Sequence, residues 1–151
     1  MTSWLIRTAT GDDGPALGRI YREASLSNDE GRANLLAHPE VLDFDDAAVR
    51  EGRVRVATGP DGVIVGFATP FFRDDIMEIE DLFVDPRWHR HGVASQLVAD
   101  LFASAAEHGV RRVEVIAQPE ALAFYRSAGL VQDGEAPTRF GPAPHLHRNL
   151  T

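Results

Sequence analysis

The chain has 151 residues, 44% of them hydrophobic, which fits one domain spanning residues 1–151 around a single core. Its 23 acidic residues outnumber 15 basic ones, all arginine, and the formal net charge of −8 argues against nucleic acid as a partner, since phosphate binding needs a basic face. The absence of cysteine excludes disulfides, thiolate metal sites and a cysteine-borne acyl intermediate.

Residues 4–8 (WLIRT) read as a first strand. Thr10, Asp12 or Asp13 can cap the helix that follows, with Pro15 in its first turn and Ala16, Leu17, Ile20, Tyr21 and Ala24 on its apolar face. Ser25–Arg32 is polar and reads as a loop. Ala33–Ala37 reads as a short helix stopped by His38-Pro39, and Asp43–Arg50 as another, ending near Gly52. Arg53–Thr58 alternates apolar and polar residues as a strand does. Gly59-Pro60-Asp61-Gly62 is a turn signal. Val63–Phe72 is the next strand, with Gly66 or Pro70 marking a bulge or an edge. Ile76–Val84 follows, then a helix over 92–108 ended by Gly109. Arg111–Ala117 is a strand and Pro119–Ala128 a short helix closed by Gly129. A further strand begins at Leu130–Val131. Pro142 and Pro144 suggest a loop before a closing strand. The order β-α-α-β-β-β-α-β-α-β-β gives an α/β or α+β sheet with helices on both faces.

Residues 80–97 (EDLFVDPRWHRHGVASQL) pass from strand to helix through the turn Arg87–Gly92. A helix start offers backbone N–H groups with no internal partner and the positive end of the helix dipole. Gly92 lets a bulky anion approach that backbone. The basic turn and helix start therefore read as a diphosphate cradle.

The run V-D-P-R-W-H-R-H-G-V-A-S resembles the acyl-CoA signature of the GNAT superfamily of N-acetyltransferases, V-x-P-x-(Y/W)-(Q/R)-(G/x)-x-G-x-(G/A). Val84, Pro86, Trp88, Gly92 and Ala94 match. His89 stands where Gln or Arg is usual. Arg90 stands where Gly is common, which matters if that backbone needs positive φ. The opening I-R-x-A-x-x-D-D-x-x-x-L is similar to that of the family, and Gln118–Leu130 (QPEALAFYRSAGL) resembles N-x-x-A-x-x-F-Y-x-x-x-G-F. There Ala121, Phe124, Tyr125 and Gly129 match, while Gln118 replaces Asn and Leu130 replaces Phe. The resemblance implies a mixed, mostly antiparallel central sheet of six to seven strands. It also implies acetyl-CoA as cosubstrate, with dimers frequent; a cytoplasmic location is expected instead from the lack of a membrane span or signal peptide. No apolar run approaches the ~20 residues of a membrane span, and MTSWLIRTAT lacks the basic and long apolar segments of a signal peptide.

Acetyl transfer to an amine needs a base, because an amine of pKa near ~10 is neutral in only about one molecule per thousand at pH 7. It also needs a donor for the oxyanion and an acid for the departing thiolate. Glu78, Glu80 and Asp81 are the candidate bases. The run I-E-D-L-F-V resembles the E-D-F-F-V of diamine acetyltransferases, which implies Glu80 as base and Asp81 as a contact for a cationic acceptor. Family resemblance likewise implies Tyr125 as the acid beside the sulfur. It assigns the Phe83 N–H to polarising the thioester carbonyl, and Val84 to the pantetheine amide. The amides of His91, Gly92, Val93, Ala94 and Ser95 would meet the diphosphate. His89 would replace the usual Gln/Arg phosphate or capping contact, Arg90 is a further cofactor-binding candidate in the turn, and Gln118 would help hold the pantetheine or the helix start. His145 and His147 share a strand face in HLH, but no third ligand accompanies them and no metal is expected. His145 either faces the acceptor or is structural. The expected activity is N-acetylation of a small primary amine by direct attack. The alternatives are a protein or peptide acceptor, or a non-catalytic acyl-CoA sensing module.

Overall fold

The computed structural model describes residues 3–27 and 29–150. Its elements are β1 (Leu5–Thr8), α1 (Gly14–Leu26), α2 (Asp29–Ala37), α3 (Ala47–Arg50), β2 (Arg55–Thr58), β3 (Ile64–Arg73), β4 (Ile76–Val84), α4 (Val93–Glu107), β5 (Arg112–Ile116), α5 (Leu122–Ser127), β6 (Val131–Thr138) and β7 (Gly141–Asn149). Hydrogen bonding orders the strands β1-β2-β3-β4-β5-β7-β6 in one seven-stranded sheet. β4 and β5 pair in parallel, the geometry that a crossover helix such as α4 permits. The β1–β2, β2–β3, β5–β7 and β6–β7 pairs are antiparallel. This is the mixed, mostly antiparallel α/β sheet expected from the sequence.

The chain divides into two compact units, residues 1–69 with 81–97 and residues 70–80 with 98–151. In the first, Leu17 and Ile20 of α1 share a buried cluster with Val54, Val56, Ile64 and Phe67. Gly66 neighbours Phe67 and therefore faces the other way. A Cβ on it would stand 2.9 Å from Val93 Cγ1, 3.4 Å from Leu97 Cδ1 and 3.0 Å from the Phe83 carbonyl oxygen. α1 and α4 thus pack on opposite faces of β3, and only glycine lets α4 and the end of β4 approach so closely. The bulge anticipated at Gly66 lies beside it: Ala57 pairs with Gly66, and the next residue, Thr58, pairs with Ile64.

In the second unit, Met77, Ile79, Val113, Val115 and Leu146 are buried on one side of β4, β5 and β7. The register puts Glu78 beside Glu114, and Glu114 beside His147, on the opposite, polar side. Val110 and Gly109 close α4 by donating to the carbonyls of Ala105 (3.2 Å) and Ala106 (3.1 Å).

Three local expectations are corrected. Ser25–Arg32 is not a loop, because α1 runs to Leu26 and α2 begins at Asp29. Polar side chains serve the end of α1 there: Ser27 Oγ donates to the Ala24 carbonyl (2.7 Å) and an Arg32 guanidinium N–H to that of Leu26 (2.8 Å). The helix expected over 43–50 is confined to Ala47–Arg50, since the Asp45 carboxylate accepts the Ala47 N–H (3.0 Å) and holds the preceding residues in a turn. Pro142 and Pro144 lie inside β7 rather than in a loop. The β5–β7 ladder begins at His145, so residues 141–143 have β6 alone as a ladder partner, and Pro144 offers the other side only its carbonyl, which accepts the Ala117 N–H just past β5 (2.9 Å); both positions tolerate proline. Among the described residues no helix is long and apolar enough to cross a membrane.

Candidate active site

The predicted cradle lies wholly in the first unit. β4 ends at Val84, and Pro86–Trp88 form a single 3-10 turn capped by Asp85. The Asp85 side chain is 1% exposed and accepts from the Arg87 backbone N–H (3.0 Å), Arg87 Nε (3.1 Å), Arg87 Nη2 (2.7 Å) and Arg19 Nη1 (3.2 Å). The Arg87 guanidinium, with Arg19 assisting, holds this carboxyl down at about 2 despite its burial. The Asp85 N–H donates to the Val65 carbonyl (2.8 Å), which pins the end of β4 to β3.

His89 turns its ring back on the strand, where Nε2 donates to the Val84 carbonyl at 3.2 Å. Arg90 has φ 66° and Gly92 φ 79°, both left-handed. Glycine is common at position 90 in the resembling signature, and the backbone takes the conformation that favours glycine. Arg90→Gly is expected to stabilise the fold by up to ~1 kcal/mol, the relief of left-handed strain less glycine's greater chain entropy. Urea unfolding would measure it. The first turn of α4 opens with Gln96 N–H donating to the Gly92 carbonyl (3.1 Å), so the N–H groups of Val93, Ala94 and Ser95 have no acceptor inside the helix. These are the donors an anion would meet.

The sequence reading missed what fastens this turn. Trp4, 6% exposed, donates from Nε1 to the His91 carbonyl (3.0 Å), and its backbone N–H donates to Gln96 Oε1 (3.0 Å). Its ring meets Trp88 edge-on at 5.3 Å, and Trp88 meets His91 at 5.4 Å. Only the tryptophan at position 4 hints at this in the sequence, and nothing local ties it to residues some 87 positions away.

Phe83 lies at an aromatic wall. Its ring packs edge-on against Tyr21 (5.0 Å) and beside Phe67 (5.6 Å), and Phe44 adjoins both Tyr21 and Phe67. Tyr21 donates its hydroxyl to the Val41 carbonyl (2.7 Å) and so fixes the 39–42 turn against α1. Burial raises the Tyr21 phenol above its ordinary value, and the nearby Asp81 carboxylate raises it further. Asp81, two residues before Phe83 on β4, shares its strand face.

The second unit carries Glu80, Gln118, Tyr125 and His145. Glu80 is exposed on β4, and strand alternation places it on the face of Glu78. Glu78 lies 4.0 Å from Arg73, which also reaches Glu114 at 3.9 Å. Gln118 caps the turn Pro119–Ala121 by accepting the Ala121 N–H on its carbonyl (2.9 Å). Tyr125, 5% exposed, sits in α5, which closes as Leu130 N–H donates to the Tyr125 carbonyl (3.0 Å) and Gly129 N–H to that of Arg126 (3.0 Å). His145 Nδ1 lies 2.6 Å from Asp133, a partner the sequence did not reveal. Among the described residues no group of three or more histidine or carboxylate side chains is arranged to hold a metal ion.

A family model described as the Acetyltransferase (GNAT) family matches residues 19–130. No curated protein sequence is significantly similar to the chain. Among solved structures, a PaiA N-acetyltransferase from Thermoplasma acidophilum in complex with coenzyme A aligns with TM-score 0.75 at 13% identity, covering 97% of this chain and 99% of that one. A GNAT superfamily phosphinothricin acetyltransferase from Sinorhizobium meliloti in complex with AcCoA aligns with TM-score 0.72 at 20% identity over 99% of this chain and 89% of that one. A ribosomal-protein-alanine N-acetyltransferase from Brucella melitensis gives TM-score 0.71 at 25% identity over 97% and 99%.

Proposed function

The chain belongs to the GNAT acetyltransferase family and is an acetyl-CoA-dependent N-acetyltransferase, and from that premise we propose that its acceptor is the primary amine of a small molecule, acetylated by direct attack. The observation that carries this reading is the half-buried aromatic group of Tyr21, Phe44 and Phe83, packed on the buried Phe67, with Asp81 on the same strand face as Phe83. A carboxylate next to aromatic faces suits a protonated amine. The net charge of −8 draws such a cation toward the protein. With no cysteine to carry an acyl group, the acetyl passes straight from thioester to nitrogen.

In this reading residues 1–151 are one acetyltransferase domain, supported by a family match that draws on residues of both units. The amides of His91, Gly92, Val93, Ala94 and Ser95, with His89 and Arg90 in the same turn, receive the diphosphate. Phe83 N–H polarises the thioester carbonyl, while Val84 and Gln118 serve the pantetheine arm. Glu80 takes a proton from the amine and Tyr125 returns one to the thiolate.

The test has two stages. Acetyl-CoA at 100 times its Kd should stabilise the protein by about 2.7 kcal/mol, seen as an upward shift in a calorimetric melt. A panel of small amines and of peptides with free N-termini is then scored by CoA release. No lysine side chain in the enzyme competes as acceptor. Release with small cationic amines is the expected result. Release with peptides alone would overturn the small-molecule reading.

A further inference from the structure

The turn before α4 carries four basic side chains, Arg87, His89, Arg90 and His91. Three have partners close by. The Arg87 guanidinium donates to the buried Asp85 from Nε (3.1 Å) and Nη2 (2.7 Å), His89 Nε2 donates to the Val84 carbonyl (3.2 Å), and the His91 ring meets Trp88 edge-on (5.4 Å). Arg90 is exposed and has no hydrogen bond or ion pair among the described residues. Its backbone is held on both sides: the His89 N–H donates to the Pro86 carbonyl (3.4 Å), and the His91 carbonyl accepts from Trp4 Nε1 (3.0 Å). Between these anchors Arg90 stands at φ 66°, where glycine sits without steric conflict and arginine does not. Turn geometry therefore gives no reason for an arginine at this position. An uncommitted guanidinium kept there despite backbone strain points to a ligand.

We infer that the Arg90 guanidinium pairs with the phosphate on the ribose 3′ oxygen of acetyl-CoA, and so makes the enzyme select this cosubstrate over its 3′-dephospho form. The inference rests on the reading of this turn as the diphosphate cradle. Acetyl-CoA brings two anionic groups to such a turn, the diphosphate and the 3′-phosphate. In that reading the diphosphate takes the backbone N–H groups at the start of α4, so those donors are spent on one anion. The 3′-phosphate needs a partner of its own, on a protein whose net charge of −8 repels it. A guanidinium suits the group, because its planar fork donates to two phosphate oxygens at once. Arg87 does not fill this role, since Asp85 already holds its Nε and Nη2. The imidazoles of His89 and His91 have no such fork. Arg90 is thus the residue of the turn whose chemistry matches the group left over.

The test is titration calorimetry of full chains with acetyl-CoA and with 3′-dephospho-acetyl-CoA, so no acceptor has to be known. Wild type should bind acetyl-CoA at least about tenfold more tightly than the dephospho form, the least expected of a charge-assisted contact. Arg90→Gly and Arg90→Gln should bind the two thioesters about equally, with affinity for the dephospho form close to that of wild type. Glycine relieves the backbone strain and glutamine keeps it, so agreement between the two variants assigns the effect to the lost charge. Arg22→Gln removes an exposed arginine of α1 and should keep the wild-type ratio, which excludes a general effect of net charge. Equal binding of both thioesters by wild type would overturn this inference alone. So would an Arg90→Gly protein that keeps the wild-type ratio, or one that weakens both thioesters by the same factor. A wild type that binds neither would overturn the cradle and the inference together.

Discussion

Tyr125→Phe is expected to slow turnover by about a hundredfold while leaving acetyl-CoA affinity nearly intact. The ring is 5% exposed and the substitution removes one oxygen, so the packing of α5 survives. The backbone bonds that end α5 at Gly129 and Leu130 involve carbonyls, not the phenol. What is lost is a phenolic O–H donor. The expected loss lies at the low end of the general acid–base range because a thiolate of pKa near ~8.5 leaves well unaided. Steady-state turnover against calorimetric acetyl-CoA binding would decide. Unchanged turnover would remove Tyr125 from the mechanism, and lost binding would make it a structural residue.

Asp85→Asn is expected to cost the fold ~2 kcal/mol at pH 7, with the deficit vanishing in acid. The folded carboxyl titrates at about 2, below the ordinary 3.8. Its contribution is therefore present in full above the unfolded value and is lost as pH falls through about 4 to 2. Wild type and variant should converge over that window and stay parallel above it. Asp13, also held at about 2 by its hydrogen bonds with Arg7, gives both proteins a shared acid-labile part that the comparison cancels. Urea unfolding between pH 7 and pH 2 measures the difference, and a constant gap across that range would show that the Arg19–Asp85–Arg87 contacts add nothing electrostatic. The variant should also bind acetyl-CoA more weakly, because Asp85 fixes the turn that opens the cradle.

The parts of this site legible in the sequence are those whose chemistry lies in backbone or local order. The strand, basic turn and helix over 80–97 were readable because Pro86, Gly92 and the spacing of Val93, Leu97 and Leu101 mark their limits within a few residues. The strain at Arg90 was readable only through the family resemblance, whose signature commonly has glycine there. Distant partners were not. Nothing beside Trp4 points to His91, and nothing beside Asp85 points to Arg19. Asp133 reaches the two histidines only because a bulge displaces it, and an extra residue in one strand leaves no mark in an alternation already broken by Gly134. The 25–32 segment misled because its helix ends are served by Ser27 and Arg32 side chains, which periodicity does not see.

The Trp4–Trp88 contact has an optical consequence. The chain holds two tryptophans, and they stand 5.3 Å apart at the same turn. The long-wavelength fluorescence of the protein therefore originates at one place, the cradle. Any quenching or spectral shift on adding a nucleotide thioester reports on that turn alone. The same signal followed in denaturant tracks the opening of the cradle, while circular dichroism follows the chain as a whole. Two unfolding curves that fail to superimpose would mark this turn as opening before the rest.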